Sequence, residues 1–467
     1  MPDAPIAVLG TGMAGFGAGY ALEAARVPFI CYDRNAYFGG HTHSLQYATG
    51  FVTDEGGHIS FTKDPHVRDV LAENVGGRYE ERKLAIDNYW RGYRIPHPVQ
   101  TNLRALPSEL VVDVISDFVA AAGRAAPNLA GSGPAGTYAE WLHAAYGAVF
   151  AETFPMVYGH KYHTTTMDKL TTDWIGPRMY RPSLEEVLRG ALGAPVAGAH
   201  YVGTYRYPTV GGFVSYLEPF AKRFELRLKH QLVGLDPRAR LLHFANGKVE
   251  PYAKVISSVP LPDLIPLISG VPEDVVEAAS KLSFTTAVLF NIGVNRADLS
   301  ETAITYFYDE DILFSRVNLP HMFSPNNAPP GCGIIQAEIY FSDKYKPLNV
   351  KPDELIEPVI RDLHRCGFIR EGDSILLKDA FVNRYANVIF DLDRARALAT
   401  VHGYLDDVEI HYCGRYGNWD HAWTDQAFLS GQETARKALA RPQRPSKRTF
   451  AATEAWAVGK DKATEPQ

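Results

Sequence analysis

Residues 6–44 read IAVLGTGMAGFGAGYALEAARVPFICYDRNAYFGGHTHS, and their order of strand, glycine turn, helix, strand and acid decides the fold. The apolar run Ile6 to Leu9 reads as a short buried strand. It stops at Gly10, and Gly10-x-Gly12-x-x-Gly15 leads into an alanine-rich segment of helical character. A second apolar run, Pro28 to Tyr32, ends on Asp33. Gly10 permits the tight turn, Gly12 lets a pyrophosphate approach the backbone, and Gly15 lets helix and strand pack closely. Phosphates would then meet free N–H groups at the positive end of the helix. Asp33 lies 23 residues after Gly10, where a carboxylate accepts hydrogen bonds from an adenosine ribose. A ligand-free glycine turn does not explain that acid, so the stretch reads as a dinucleotide site.

The chain has 467 residues, too many for one compact core, so two or three substructures are expected. With 46% hydrophobic and 21% charged residues its composition is that of an ordinary globular protein. A net charge of −6 argues against a nucleic-acid partner. No apolar run reaches the ~18 residues needed to cross a bilayer, and no basic segment precedes the first one. A cytoplasmic protein with no membrane partner is expected. Cys31, Cys332, Cys366 and Cys413 form no CxxC pair and read as reduced thiols, with no metal site. Aromatic residues are 12% of the chain, mostly core, although flavin pockets also use them.

After the acid come Gly39-Gly40-His41-Thr42 and then Asp54-Glu55-Gly56-Gly57-His58. This resembles the two-dinucleotide FAD family that includes amine oxidases, protoporphyrinogen oxidase and UDP-galactopyranose mutase. The resemblance implies FAD, with the paired glycines under its pyrophosphate and ribityl chain. It also implies an α/β fold: a Rossmann-type two-dinucleotide FAD-binding domain with an inserted helical domain and a β-sheet substrate domain. The segments expected are 1–62, 223–265 and 379–440 for the FAD-binding domain, 63–222 for a mainly helical insert, 266–378 for the β-sheet domain, and 441–467 for a flexible tail. Leu110 to Ala125 has helical periodicity, Gly131 to Gly136 is a breaker-rich loop, and Thr137-Tyr138-Ala139-Glu140 is a capping box opening a long aromatic-faced helix. Phe224 to Leu235, Leu241 to Phe244, Lys254 to Pro260 and Phe284 to Val294 read as strands.

Three further stretches narrow the resemblance to eukaryotic-type UDP-galactopyranose mutases. They are Tyr93-Arg94-Ile95-Pro96-His97-Pro98-Val99-Gln100-Thr101-Asn102, the turn Tyr207-Pro208-Thr209-Val210-Gly211-Gly212, and His411 to Gly417 followed by a helix from Thr424 to about Ala440. The resemblance implies cofactor contacts from Gly10, Gly12, Gly15, Asp33, Arg34, Gly39, Gly40, Thr42, Gly56, Val233, Gly414, Arg415, Asp425 and Gln426. It places Gly57 and His58 in the loop that borders the flavin, as the catalytic candidates. It assigns Arg178 and Arg316 to a substrate pyrophosphate, Tyr306 to the substrate, and Gln100 and Asn102 to the same pocket. Substrate-side departures are His97 between the two prolines, His163 at a tryptophan position, Ala386-Asn387 for a tyrosine–proline pair, and His421 or Trp423 for a second tyrosine. A nucleotide-sugar-like, phosphate-bearing small molecule and a redox-neutral ring isomerisation follow on one reading. The other is an amine-oxidase- or desaturase-like oxidoreductase in which a small substrate gives hydride to the flavin. No second Gly-x-Gly-x-x-Gly unit follows residue 44, so NAD(P)H enters only as a transient reductant. A homo-oligomer is left open.

Overall fold

Five parallel strands carry the opening stretch. The computed structural model describes residues 4–122, 136–176, 179–194 and 203–440. β1 (Ile6–Leu9), buried at all four positions, is followed by α1 (Met13–Ala24) and β2 (Phe29–Tyr32). β3 (Leu226–Arg227), β4 (Val255–Ser257) and β5 (Ile410–Tyr412) return from distant parts of the chain. The order is β5-β4-β1-β2-β3, so β1 has β2 on one side and β4 on the other. Connections leave β1 in opposite directions, which opens a crevice at its carboxyl end. α1 lies directly on α2 (Thr424–Ala440), because Gly17 and Gly431 leave no side chain between the two backbones. A methyl group on either would overlap the main chain of the other helix.

A seven-stranded sheet faces this unit. Its order is Ile375–Val388, Phe284–Val294, Gly333–Phe341, Arg316–Asn318, Ile304–Phe307, Ile86–Trp90 and Tyr93–Pro96. The second and third strands in that order, Phe284–Val294 and Gly333–Phe341, are buried along their whole length, polar Asn291, Gln336 and Glu338 included. Ile86–Trp90 and Tyr93–Pro96 belong to this sheet although they lie in the stretch 63–222 expected to be mainly helical.

The helical part contains Ser108–Ala122, Tyr138–Tyr146, Ala148–Thr153, Pro155–His163 and Leu184–Leu192. Thr137 and Glu140 form the expected capping box. The single long helix expected after it is three short ones, since Gly147 turns to φ 80° and Pro155 starts a new helix. Phe224 to Leu235 is likewise not one strand: Lys229 adopts φ 55° and separates β3 from Leu232–Asp236. Arg178, most of the 131–136 loop and the 441–467 tail lie outside the described residues. No described helix is long and apolar enough to cross a membrane.

Candidate active site

One cavity of about 1470 Å³ runs from the crevice at β1 to the helical part. At its first end Gly10 sits at φ 105°, and α1 starts on Gly12 with no side-chain cap, leaving its first N–H groups open to the cavity. The second glycine pair lies against the first. Gly39 N donates to Thr11 O at 3.0 Å, and a methyl group on Gly40 would come within 3.2 Å of Gly12 Cα. Asp33 accepts from Thr11 N (2.9 Å), Thr11 Oγ1 (2.7 Å) and Asn35 N (2.9 Å), which fixes its carboxylate at the rim with lone pairs to spare. Buried polar atoms with no hydrogen-bond partner in the protein line this same space: His230 Nε2, Asn383 Oδ1 and His41 Nδ1, whose nearest acid, Glu55, is 3.6 Å away. A bare backbone cradle, an acid at the ribose position and unfilled polar atoms fit FAD.

Further in, Gly56 (φ 104°) and Gly57 carry the loop to His58. Asp54, at the root of the loop, accepts from Ser44 Oγ (2.5 Å), Phe213 N (2.9 Å) and the Tyr207 hydroxyl (2.8 Å). Burial nevertheless pushes its carboxyl up to about 6. His58 Nδ1 lies 2.8 Å from Gly56 O. A carbonyl accepts only, so Nδ1 carries the proton and Nε2 is left as an acceptor. Burial, with added repulsion from His41, Arg415 and Arg316, lowers His58 to about 4 and keeps it neutral at physiological pH.

Strand register puts Tyr306 beside Arg316 and Arg316 beside Glu338. Arg316 donates through Nε (3.0 Å) and Nη2 (2.7 Å) to Glu338, which also accepts from Asn318 Nδ2 (2.7 Å) and the Tyr340 hydroxyl (2.5 Å). Burial works against the guanidinium charge, but Glu338 and nearby tyrosine oxygens outweigh it. With Nε and Nη2 tied back, Nη1 is the nitrogen left for a ligand. Arg415 differs: its acceptors are Ala422 O, Ala386 O and Asn387 Oδ1, none of them a carboxylate. Beyond the two arginines the wall is aromatic, with Tyr158, Tyr162, Tyr308, Phe154 and Trp174.

Of the residues expected at the site, Gly10, Gly12, Asp33, Arg34, Gly39, Gly40, Thr42, Gly56, Gly57, His58, His97, Gln100, His163, Val233, Tyr306, Arg316, Gly414 and Arg415 all line this cavity. Five others do not. Gly15 packs against the Gly10 carbonyl instead of facing the space. Asn102 turns back to donate to Pro98 O at 2.9 Å. His421 stacks on Phe390, ring centroids 4.8 Å apart. Gln426 is exposed and accepts from Trp423 N (2.9 Å), capping the helix it was expected to reach past, and its neighbour Asp425 is also off the cavity. Residues missed in the sequence include Glu338, Tyr340 and Tyr158, and the pair His41–Glu55 (3.6 Å) next to the recognised glycines.

His163 has an uncommon environment. It is 2% exposed, its Nδ1 has no hydrogen-bond partner, and burial alone lowers it from 6.5 to about 3. The unfolded chain therefore takes up this proton first, and stability falls as pH drops below about 6.5 toward 3. One proton of difference is worth ~1.4 kcal/mol per pH unit. His163→Phe is expected to flatten that part of the stability–pH curve, measured by denaturant melts. An unchanged slope would show that His163 does not titrate this way.

Residues 8–74 match the family model of an NAD(P)-binding Rossmann-like domain, and residues 185–439, more than half of the chain, match that of flavin containing amine oxidoreductases. No curated protein matches by sequence. Among solved structures, a reduced UDP-galactopyranose mutase is 23% identical, with TM-score 0.86 over 94% of this chain and 96% of the other. A putative protoporphyrinogen oxidase from Exiguobacterium sp. 255-15 is 16% identical, with TM-score 0.72 over 94% and 100%. Putrescine oxidase bound to putrescine is 16% identical, with TM-score 0.62 over 94% and 99%.

Proposed function

The chain belongs to the flavin containing amine oxidoreductase family, and from that premise we propose that this FAD-dependent enzyme acts on an anionic, phosphate-bearing sugar-like molecule, in the manner of a mutase. The observation that carries the reading is the charge of the inner chamber. Arg316 is neutralised by Glu338, whereas Arg415 has only carbonyl oxygens as partners. Of the two guanidinium groups beside His58, Arg415 is thus the one that no carboxylate neutralises directly, with the buried Glu55 elsewhere on the cavity wall. In a low-dielectric chamber a guanidinium held in that way attracts an anion and repels a protonated amine. The likeness in fold to UDP-galactopyranose mutase supports the same reading.

Bound flavin supplies a ring that accepts hydride or, once reduced, attacks an electrophilic carbon. The protein's part is placement. Arg316 Nη1 and Arg415 meet the negative group, Tyr306 and Tyr158 bracket the part of the ligand next to it, and the aromatic wall excludes water. His58 holds a neutral acceptor at the end of a loop that Asp54 pins in place. His58→Ala is expected to keep its FAD and lose most turnover, at least ~100-fold in kcat if the ring handles a proton. Normal turnover would remove His58 from the chemistry.

The function is tested anaerobically by offering nucleotide sugars to the reduced protein and, in parallel, amines to the oxidised yellow protein. Product formed from a nucleotide sugar without consumption of reducing equivalents supports the proposal. Bleaching of oxidised flavin by an amine, with no reaction of any phosphate-bearing sugar, refutes it.

A further inference from the structure

β2 and β4 flank β1 on opposite sides, so any link between their carboxyl ends passes over the carboxyl end of β1, where the turn Gly10–Gly12 opens. One such link exists. Arg34, just beyond β2, reaches Asp263 in the short helix Leu261–Leu264 after β4, with Nη1 to Oδ2 3.7 Å. The same carboxylate pairs with Arg384 Nη1 at 3.4 Å and accepts from the Tyr385 hydroxyl at 2.6 Å. Both of those residues come from the edge strand Ile375–Val388 of the other sheet. All four side chains line the cavity, yet the two arginines are 54% and 56% exposed, so the group stands at the rim and not on the floor.

We infer that Asp263 ties Arg34 and Arg384 into a salt-bridged strap across the cofactor crevice, and that this strap governs how fast the bound dinucleotide leaves. Tyr385 orients the carboxylate, and the exposed arginines are held to it by attraction that water and salt weaken. Each pair alone is weak, so the strap opens and recloses readily. The two residues after Tyr385 connect it to the substrate chamber: Ala386 O accepts from Arg415, and Asn387 Oδ1 accepts from the Tyr162 hydroxyl. Cofactor retention and the chamber wall thus share one strand. Asp263 acts through its partners and is a positioning residue.

FAD fluorescence rises when the cofactor leaves, so release is followed by diluting the yellow holoprotein. Asp263→Asn is expected to speed release about three- to tenfold, and Arg34→Gln by less. Release from the wild type should accelerate with added sodium chloride, a dependence that Asp263→Asn largely removes. Asp263→Asn combined with Arg34→Gln should release FAD no faster than Asp263→Asn alone, since both changes cut the same link. Should Asp263→Asn fail to fold, Arg34→Gln and Arg384→Gln, at exposed side chains, carry the test. Equal release rates and equal salt dependence in all of them would overturn the strap. It is independent of the substrate, so loss of the mutase proposal leaves it standing, whereas a chain that holds no FAD takes both down.

Discussion

Gly15→Val is expected to give a colourless, poorly folded protein. The reason lies in the distance between α1 and the turn before it. A side chain at position 15 would overlap the carbonyl oxygen of Gly10 and approach its carbonyl carbon to 2.9 Å. That neighbour is backbone and cannot rotate away. Relief requires α1 to lift off β1, which moves the open N–H groups at its start away from the crevice. It also breaks the close packing of α1 on α2, where Gly17 and Gly431 already admit no extra atom. Overpacking a tight core site costs ~1–3 kcal/mol, and a branched residue against main chain belongs at or above the top of that range. The control is Gly403 in the helix Arg394–Asp407, where an added methyl group meets nothing within 4 Å. Gly403→Ala should keep the colour and gain ~0.5–1 kcal/mol, because it only reduces the freedom of the unfolded chain. Visible flavin absorbance and the melting midpoint decide both. A yellow Gly15→Val protein with a normal melting temperature would refute the close approach on which the crevice depends.

The same local chemistry explains what could be read from the residues and what could not. β1 and the buried strand Phe284–Val294 have the bounds expected, the first as an unbroken apolar run and the second as a β-prone run in which Thr285, Thr286 and Asn291 interrupt the apolar residues. Thr137-x-x-Glu140 was legible as a cap because both partners of the bond sit within one turn. At the start of α2 a similar arrangement was present and misread. Gln426 was assigned to the cofactor by resemblance, whereas its side chain folds back to Trp423 N, three residues earlier. A local bond was available there, and it competes with any distant role. Glu338 could not be found locally. It lies 22 residues from Arg316, and only the pairing of two antiparallel strands brings them together. His41 and Glu55 were within reach, as they adjoin recognised glycines, but neither type stands out until the fold sets one against the other.

That hidden partner determines what Arg316→Ala will do. Removing the guanidinium takes two charge-assisted hydrogen bonds from Glu338, which is 1% exposed and keeps only Asn318 and Tyr340 as donors. Breaking one side of a buried pair costs ~3–5 kcal/mol, mostly because the remaining charge is left uncompensated. The variant should therefore melt well below the wild type, and the chamber's electrostatic balance should shift toward negative. If the proposed phosphate-bearing ligand class holds, weaker binding of UDP as the probe, by roughly 1–3 kcal/mol for one lost charge-assisted contact, is expected on top of that. Instability alone could mimic the binding loss, so a second variant is needed to separate them. In Arg316→Met with Glu338→Gln both charges are gone, the volume is kept, and the amide oxygen still accepts from Asn318 and Tyr340, a replacement of a buried pair that is commonly neutral or stabilising. This double variant should recover the melting temperature without recovering affinity for UDP, measured by calorimetry on the FAD-loaded protein. Recovery of both would reduce Arg316 to a structural partner of Glu338, with Arg415 left as the chamber's anion contact. Recovery of neither would mean that the pair is held for a packing reason its hydrogen bonds do not reveal. Only stability regained with affinity still lost fits an arginine whose Nε and Nη2 serve the fold while Nη1 serves the ligand.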